Sequence, residues 1–251
     1  MQSDTFEMTA NDFGASGHRS FAVVVVAAGS GSRLGCGVPK AQVEVAGKAL
    51  LRWALEGVEA TGLASRVVVT VPAGDTVLSG IARKFGALPV PGGATRAESV
   101  VAALEAIERA PLRTGFSDDA ATAVLVHDAA RCFTPVSAFE NVASALNVGE
   151  KAVIPVVPVV DTIKSVNTEQ YVTGTPARSG LRAVQTPQGF DLATLLHAYE
   201  EAAQRGLAES ITDDAMLAET LGIPVLTVEG SAESFKITTP LDLALAKALH
   251  E

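Results

Sequence analysis

The chain has 251 residues, 48% of them hydrophobic, with 22 glycines, 12 prolines and a formal net charge of −9. That length and composition suit one globular α/β domain with a full core. The acidic balance excludes a protein whose surface as a whole attracts nucleic acid or an anionic membrane, so any anionic ligand must be met by locally clustered cations.

Residues 1–20 are polar and partly acidic and read as a disordered tail, in which Met8 offers an alternative start. The apolar run at 21–28 follows His18 and Arg19 and resembles a signal-peptide core, but a long polar stretch precedes it and similar valine-rich runs recur later. It reads instead as a buried strand. No apolar run approaches the roughly 20 residues of a membrane helix. Cys36 and Cys132 lie far apart, without metal-ligand spacing, which argues against a disulfide framework and for a reducing cytosol. A cytoplasmic protein is the expectation.

Strands and helices then alternate. A strand at 23–28 leads to a helix at 49–60 with Leu51, Leu55 and Val58 on one face. A strand at 67–71 and a helix at 76–85 follow. The helical spacing of Val100, Val101, Leu104 and Ile107 predicts a helix over 95–110. Next come a strand at 123–126, a helix at 137–146 and a strand at 152–160. Pro155 and Pro158 make that strand irregular or an edge. Helices at 192–204 and 212–221, strands at 225–228 and 234–237, and a helix from Pro240 complete the chain. That last helix opens with Thr239 as cap and Asp242 as the reciprocal acid. The alternation predicts a Rossmann-like, mostly parallel sheet with helices on both faces, as a single domain over 21–251.

The rhythm breaks at 161–190, where β-prone pieces and turn residues show no helical period. The segment is either a floppy surface loop or an inserted β-hairpin arm that packs on a second subunit.

The stretch "VVVVAAGSGSRLGCGVPK" (23–40) places a glycine-rich loop at the carboxyl end of the first strand, where open α/β sheets bind ligands. A tight turn without a ligand is the plain alternative. The loop lacks GxxxxGK[ST], its third glycine comes one residue late for GxGxxG, and Pro39 interrupts a helix from Gly31. Arg33 and Lys40 suit the larger charge of a nucleoside triphosphate.

Other segments supply candidate partners. "VHDAARCF" puts Asp128 and Arg131 just past a buried strand, where the carboxylate either holds a divalent cation or ligand hydroxyl or caps the next turn. In "GGATRAESV", Gly92 and Gly93 could present backbone to a base near Ser99, while Thr95 and Glu98 form a capping box. Lys236 lies in the short strand of "SFKIT". In "ITDDAM", Thr212 caps a helix with Asp213 and Asp214 in its first turn. His127 and His197 have no metal-ligand spacing, and no GxSxG elbow supports hydrolase chemistry.

With "VVDTIK", "QTPQGF" and "VEGSAESFKITTPLDLALA", these segments resemble the 2-C-methyl-D-erythritol 4-phosphate cytidylyltransferase family over about residues 21–250. The combination of "HDAAR", "DTIK", "TPQ" and "ITDD" makes the resemblance specific. It implies that CTP and methylerythritol phosphate react, with Mg²⁺, to give the CDP-linked alcohol and pyrophosphate. Ala28, Gly29, Arg33 and Lys40 would hold the triphosphate, and Gly93, Ser99 and Ala129 the rest of the nucleotide. Asp128, the candidate metal ligand, would serve the second substrate with Arg131, Thr162, Thr186, Thr212 and Lys236. Arg178 would reach across a homodimer, built through the 161–190 arm, to the neighbour's substrate phosphate. Arg33, Lys40, Lys236 and Arg178 are thus the expected catalytic set. A cytidylyltransferase for ribitol 5-phosphate and a non-catalytic nucleotide sensor are the competing readings. Ala94 stands where the family commonly has an acid, and Cys132 where a proline usually follows "HDAAR".

Overall fold

Val23 and Val25 pack on one face of the central sheet and Ala22 and Val24 on the other, so the first valine run divides two hydrophobic cores by the two-residue period of a strand. The computed structural model describes residues 19–117, 119–206, 211 and 213–250. Of the expected N-terminal tail, only Arg19 and Ser20 are therefore described. Arg19 is held by Asp191 at 2.8 Å.

In chain order the elements are β1 (Phe21–Val26), β2 (Glu44–Val45), β3 (Lys48–Ala49), α1 (Leu50–Thr61), β4 (Ala64–Val71), α2 (Thr76–Lys84), β5 (Leu88–Pro91) and α3 (Arg96–Leu104). Then follow β6 (Ala123–Asp128), α4 (Val136–Asn147), β7 (Ala152–Pro158), β8 (Ser165–Val166), β9 (Val172–Gly174), β10 (Arg182–Val184) and β11 (Gln188–Asp191). The chain closes with α5 (Leu192–Gln204), α6 (Asp214–Thr220), β12 (Leu226–Glu229) and α7 (Pro240–His250). The main sheet runs β10-β7-β11-β6-β1-β4-β5, with β12 also pairing β7. β6, β1, β4 and β5 are mutually parallel, whereas β11 is antiparallel to both β6 and β7. The α/β fold and its mostly parallel sheet are those expected. Residues of α1, α2, α4 and α7 cover one face, and residues of α3, α5 and α6 cover the other.

Register sets the site. Val26, the last residue of β1, pairs with Asp128, the last residue of β6. The glycine loop and the Asp128 carboxylate therefore leave the sheet side by side at its carboxyl edge, the position at which parallel sheets bind ligands.

Four boundaries differ from expectation. The helix over 95–110 stops at Leu104, and a 3₁₀ turn at Ile107–Arg109 keeps Ile107 in the core. β7 is no edge, because β12 lies on one side and β10 and β11 on the other. Pro155 is tolerated because the neighbour on its second side is broken between Val184 and Gln188, and the Gln185 N–H still reaches the Pro155 carbonyl at 2.8 Å. No strand forms at 234–237. A 3₁₀ turn at Ala232–Ser234 precedes an extended segment whose Ile237 N–H donates to the Ala130 carbonyl at 2.8 Å. Finally, α6 starts at Asp214 with Asp213, not Thr212, as its cap. Thr212 lies outside the described residues.

Within 161–190 the structure separates two parts. β8 and β9 form an antiparallel hairpin away from the main sheet, with Val166, Tyr171 and Val172 exposed. Residues 182–191 return to the main sheet as β10 and β11, and Gln185, Thr186, Gln188 and Phe190 are buried there.

Candidate active site

The loop after β1 folds back on itself. Gly31 has φ +68°, and a Cβ there would lie 2.6 Å from the Lys40 Cβ, so only glycine lets Lys40 approach. Arg33 sits in a 3₁₀ turn and Lys40 starts another, which place both cations on one cleft of about 470 Å³. The turn before α3 closes the opposite wall. Gly92 is required because a Cβ would meet the Ala28 Cβ at 2.3 Å. The Gly93 N–H donates to the Ser99 hydroxyl at 3.1 Å, and that hydroxyl donates to the Thr95 carbonyl at 2.9 Å. Thr95 and Glu98 form the expected capping box, which orients the turn.

Asp128 lies at the cleft floor. Its Oδ2 accepts from Lys236 Nζ at 2.7 Å, and its Oδ1 lies 3.5 Å from Arg96 Nε. Burial alone would raise its pKa, but Arg96 and Lys236 outweigh that effect and hold the carboxyl well below the usual range. Arg96 also donates to Asp214 Oδ2 at 2.7 Å, beneath the cleft. Burial and repulsion from Lys236 and Arg33, against attraction to Asp128, push the Lys40 ammonium below the ordinary lysine value. A protein of net charge −9 thus lines this cleft with Arg33, Lys40, Arg96 and Lys236 against the single carboxylate of Asp128. The site is built for an anion.

Behind the floor, the Asp128 N–H donates to the Thr186 hydroxyl at 3.1 Å, and Thr186 lies 3.0 Å from His127 Nδ1. The Thr186 hydroxyl and the His127 ring thus share one buried hydrogen bond behind the Asp128 backbone. Burial lowers the His127 pKa to about 4 and keeps the ring neutral.

The structure brings together Ala28, Gly29, Arg33, Lys40, Gly93, Ser99, Asp128, Ala129 and Lys236 around one cleft. Thr186 stands behind it. Arg131 does not line it; its guanidinium donates to the carbonyls of Ser234 at 2.7 Å and Val184 at 3.1 Å, tying the Lys236 segment to the base of the arm. Thr162 and Arg178 are exposed on the arm, where Arg178 donates to the Val160 carbonyl. Cys132 is buried at the end of the turn after Asp128, and burial pushes its thiol up to about 12, which removes it as a nucleophile. Arg96 is the residue missed in the sequence. Its signal was a cation in the first turn of a helix, where the dipole disfavours positive charge, so another group must hold it there.

A triphosphate-sized cationic cleft at the carboxyl edge of an α/β sheet, with a glycine loop on one wall and one charge-paired carboxylate on the floor, defines a nucleotidyltransferase. The comparisons narrow this class. The profile of the 2-C-methyl-D-erythritol 4-phosphate cytidylyltransferase family matches residues 21–251. A protein of that name from Rhodococcus opacus is 48% identical over 238 residues, covering 94% of this chain and 98% of the relative. One from Frankia casuarinae is 44% identical, covering 91% and 80%. The crystal structure of the Thermus thermophilus enzyme superposes with a TM-score of 0.74 at 39% identity, covering 92% of this chain and 98% of that one. The chain belongs to this family.

Proposed function

We propose that the protein joins CTP to 2-C-methyl-D-erythritol 4-phosphate, forming 4-diphosphocytidyl-2-C-methyl-D-erythritol and pyrophosphate in non-mevalonate isoprenoid biosynthesis. The observation that carries this reading is the cleft in which four cations face one carboxylate. A phosphate oxygen of the alcohol phosphate attacks the α-phosphorus of CTP in line, and the bond from that phosphorus to the β-phosphate bridging oxygen breaks. The nucleophile is already anionic, so no general base is needed, in keeping with a buried His127 that does not line the cleft. Arg33, Lys40 and Lys236 stabilise the charge that accumulates on the α-phosphate and leaving pyrophosphate. Ala28, Gly29, Gly93, Ser99 and Ala129 position the nucleotide.

A divalent cation, Mg²⁺ or another, fits this donor set as a passenger of the triphosphate. Among the described residues, no three His, Cys, Asp or Glu side chains are grouped to hold a metal by themselves, whereas Mg²⁺ commonly binds through one or two carboxylates and substrate phosphates. Asp128 is the carboxylate that would hold it, and the ion would neutralise phosphate charge. The alcohol phosphate falls to Asp128, Thr162, Thr212 and Lys236, with Arg131 holding the Lys236 segment and Thr186 the Asp128 backbone from behind, and with Arg178 supplied by a second copy through the arm. The exposed Val166, Tyr171 and Val172 of the hairpin support a homodimer. As one domain over 21–251, the protein has no described helix long and apolar enough to cross a membrane.

The test is a coupled pyrophosphate assay. CTP with methylerythritol phosphate should release pyrophosphate, and other nucleotides should not substitute. Release that requires ribitol 5-phosphate instead would replace the second substrate, and binding of CTP without turnover on either would leave a nucleotide sensor.

A further inference from the structure

Two motifs of the sequence, "QTPQGF" and "ITDD", meet beneath the cleft rather than in it. Gln188, on β11, accepts the N–H groups of Asp214 and Ala215 at 3.0 and 3.2 Å and donates to Asp213 at 2.9 Å. This pins the first turn of α6 to the sheet, two strands from β1. Asp214 itself is 0% exposed. Its carboxylate accepts from Tyr199 on α5 and from Arg96 on α3, and it lines no part of the cleft.

Arg96 touches both levels. Its Nη2 lies 2.7 Å from Asp214 Oδ2, while its Nε lies 3.5 Å from Asp128 Oδ1. Burial opposes its charge, but the carboxylates of Asp214 and Asp128 outweigh that cost and keep it ionised. A buried carboxylate is stable only when paired and hydrogen-bonded. Asp214 therefore fixes the guanidinium from below, and the planar fork can then present a second edge to Asp128.

We propose that Arg96 is a positioning residue for the nucleotidyl transfer, and that Asp214, held by Gln188 and Tyr199, sets the place of the Asp128 carboxylate through it. Asp128 holds Lys236 by its other oxygen at 2.7 Å. With Arg96 on Oδ1, the carboxylate is shared between two cations, so Lys236 is not locked into a one-to-one pair and stays available to the phosphates. Without that anchor, Asp128 turns wholly to Lys236, and one of the cations facing the leaving group is neutralised. The inference deepens the proposed reaction and rests on it.

A double-mutant cycle tests it, because residues acting as one unit give losses that do not multiply. Asp214→Asn keeps the side-chain shape and removes the buried charge that anchors Arg96. It should lower kcat on the order of tenfold, as expected for a displaced catalytic group, with the KM for CTP changed less than about threefold. In an Asp128→Asn background the same substitution should lower kcat no further. Should Asp214→Asn fold poorly, Arg96→Lys replaces it in the cycle, since an ammonium keeps the charge but lacks the planar fork that presents one edge to each carboxylate. Equal kcat losses in both backgrounds, or an unchanged kcat in Asp214→Asn, would overturn the relay. Absence of CTP-dependent pyrophosphate release in the wild-type protein would instead take down the proposed reaction.

Discussion

Gly31 and Lys40 lie so close that a Cβ on the first would stand 2.6 Å from the Cβ of the second. The glycine loop is thus shaped around its own lysine as much as around a ligand. Gly31→Ala must both adopt a left-handed backbone, at roughly 1–2 kcal/mol, and displace Lys40. Gly35 provides the control, because its φ is +69° and a Cβ there would meet nothing within 4 Å. Gly35→Ala bears the same backbone strain without touching the lysine. Gly31→Ala is expected to lower kcat/KM for CTP about tenfold or more, and Gly35→Ala to change it less than about threefold. Equal losses in both variants would make the effect one of loop strain alone.

Removing charge from the loop should cost turnover directly. Lys40→Ala or Arg33→Ala is expected to lower kcat on the order of 10²-fold, the usual consequence of losing one group that stabilises transition-state charge. Near-normal turnover in both variants would remove the loop from the reaction.

The depressed Lys40 pKa also has a sign. In the protein alone, burial and then Lys236 and Arg33 disfavour its proton, although Asp128 favours it. A bound triphosphate favours it strongly, so binding takes up protons once the pH exceeds the free-protein pKa. Affinity for CTP is full below that pKa and falls as pH rises through it, before the ordinary lysine value of 10.5. Calorimetric titration of CTP over a pH series rising towards 10.5, in buffers of different ionisation enthalpy, should report net proton uptake that grows with pH and vanishes in Lys40→Ala. Heats independent of buffer would contradict it.

His127 makes a separate prediction for stability. Its pKa is 6.5 in an unfolded chain and about 4 in the folded one. The folded ring stays neutral while the unfolded ring protonates, so the unfolded state binds more protons between those values. Stability is therefore intact above pH 6.5 and declines as pH falls towards 4, by roughly 3 kcal/mol in all. His127→Gln keeps a hydrogen-bonding group for Thr186 but cannot titrate. Urea unfolding at a series of pH values should show a flatter acid limb in this variant, and an unaltered limb would exclude His127 as its source.

Much of this molecule was legible in its sequence, for reasons that can be located. The valine runs and capping signals are local, and they placed β1 and the starts of α3 and α7 closely. The glycine loop was legible because Arg33 and Lys40 accompany it within a few residues. Arg96 was not, because its partners Asp128 and Asp214 stand 32 and 118 residues away and only the sheet order brings them together. The expected strand around Lys236 failed for a similar reason. Its β-prone residues are held by the Ala130 carbonyl and the Asp128 carboxylate rather than by a neighbouring strand.

Arg178 yields the sharpest test of a shared site. It lies exposed on the arm and is not among the residues that line its own cleft. Arg178→Ala should raise the KM for the alcohol phosphate and leave that for CTP nearly unchanged. If Arg178 serves the neighbouring subunit, a mixed dimer of Arg178→Ala and Lys40→Ala chains has one site lacking both groups and one site with both intact. Random mixing of two such chains in a two-fold dimer would restore about a quarter of the wild-type sites. Co-expression of the two variants, each nearly inactive alone under low alcohol phosphate, checks this. Recovery of activity supports the crossed arm, whereas no recovery, or a fully active monomer, confines the site to one chain.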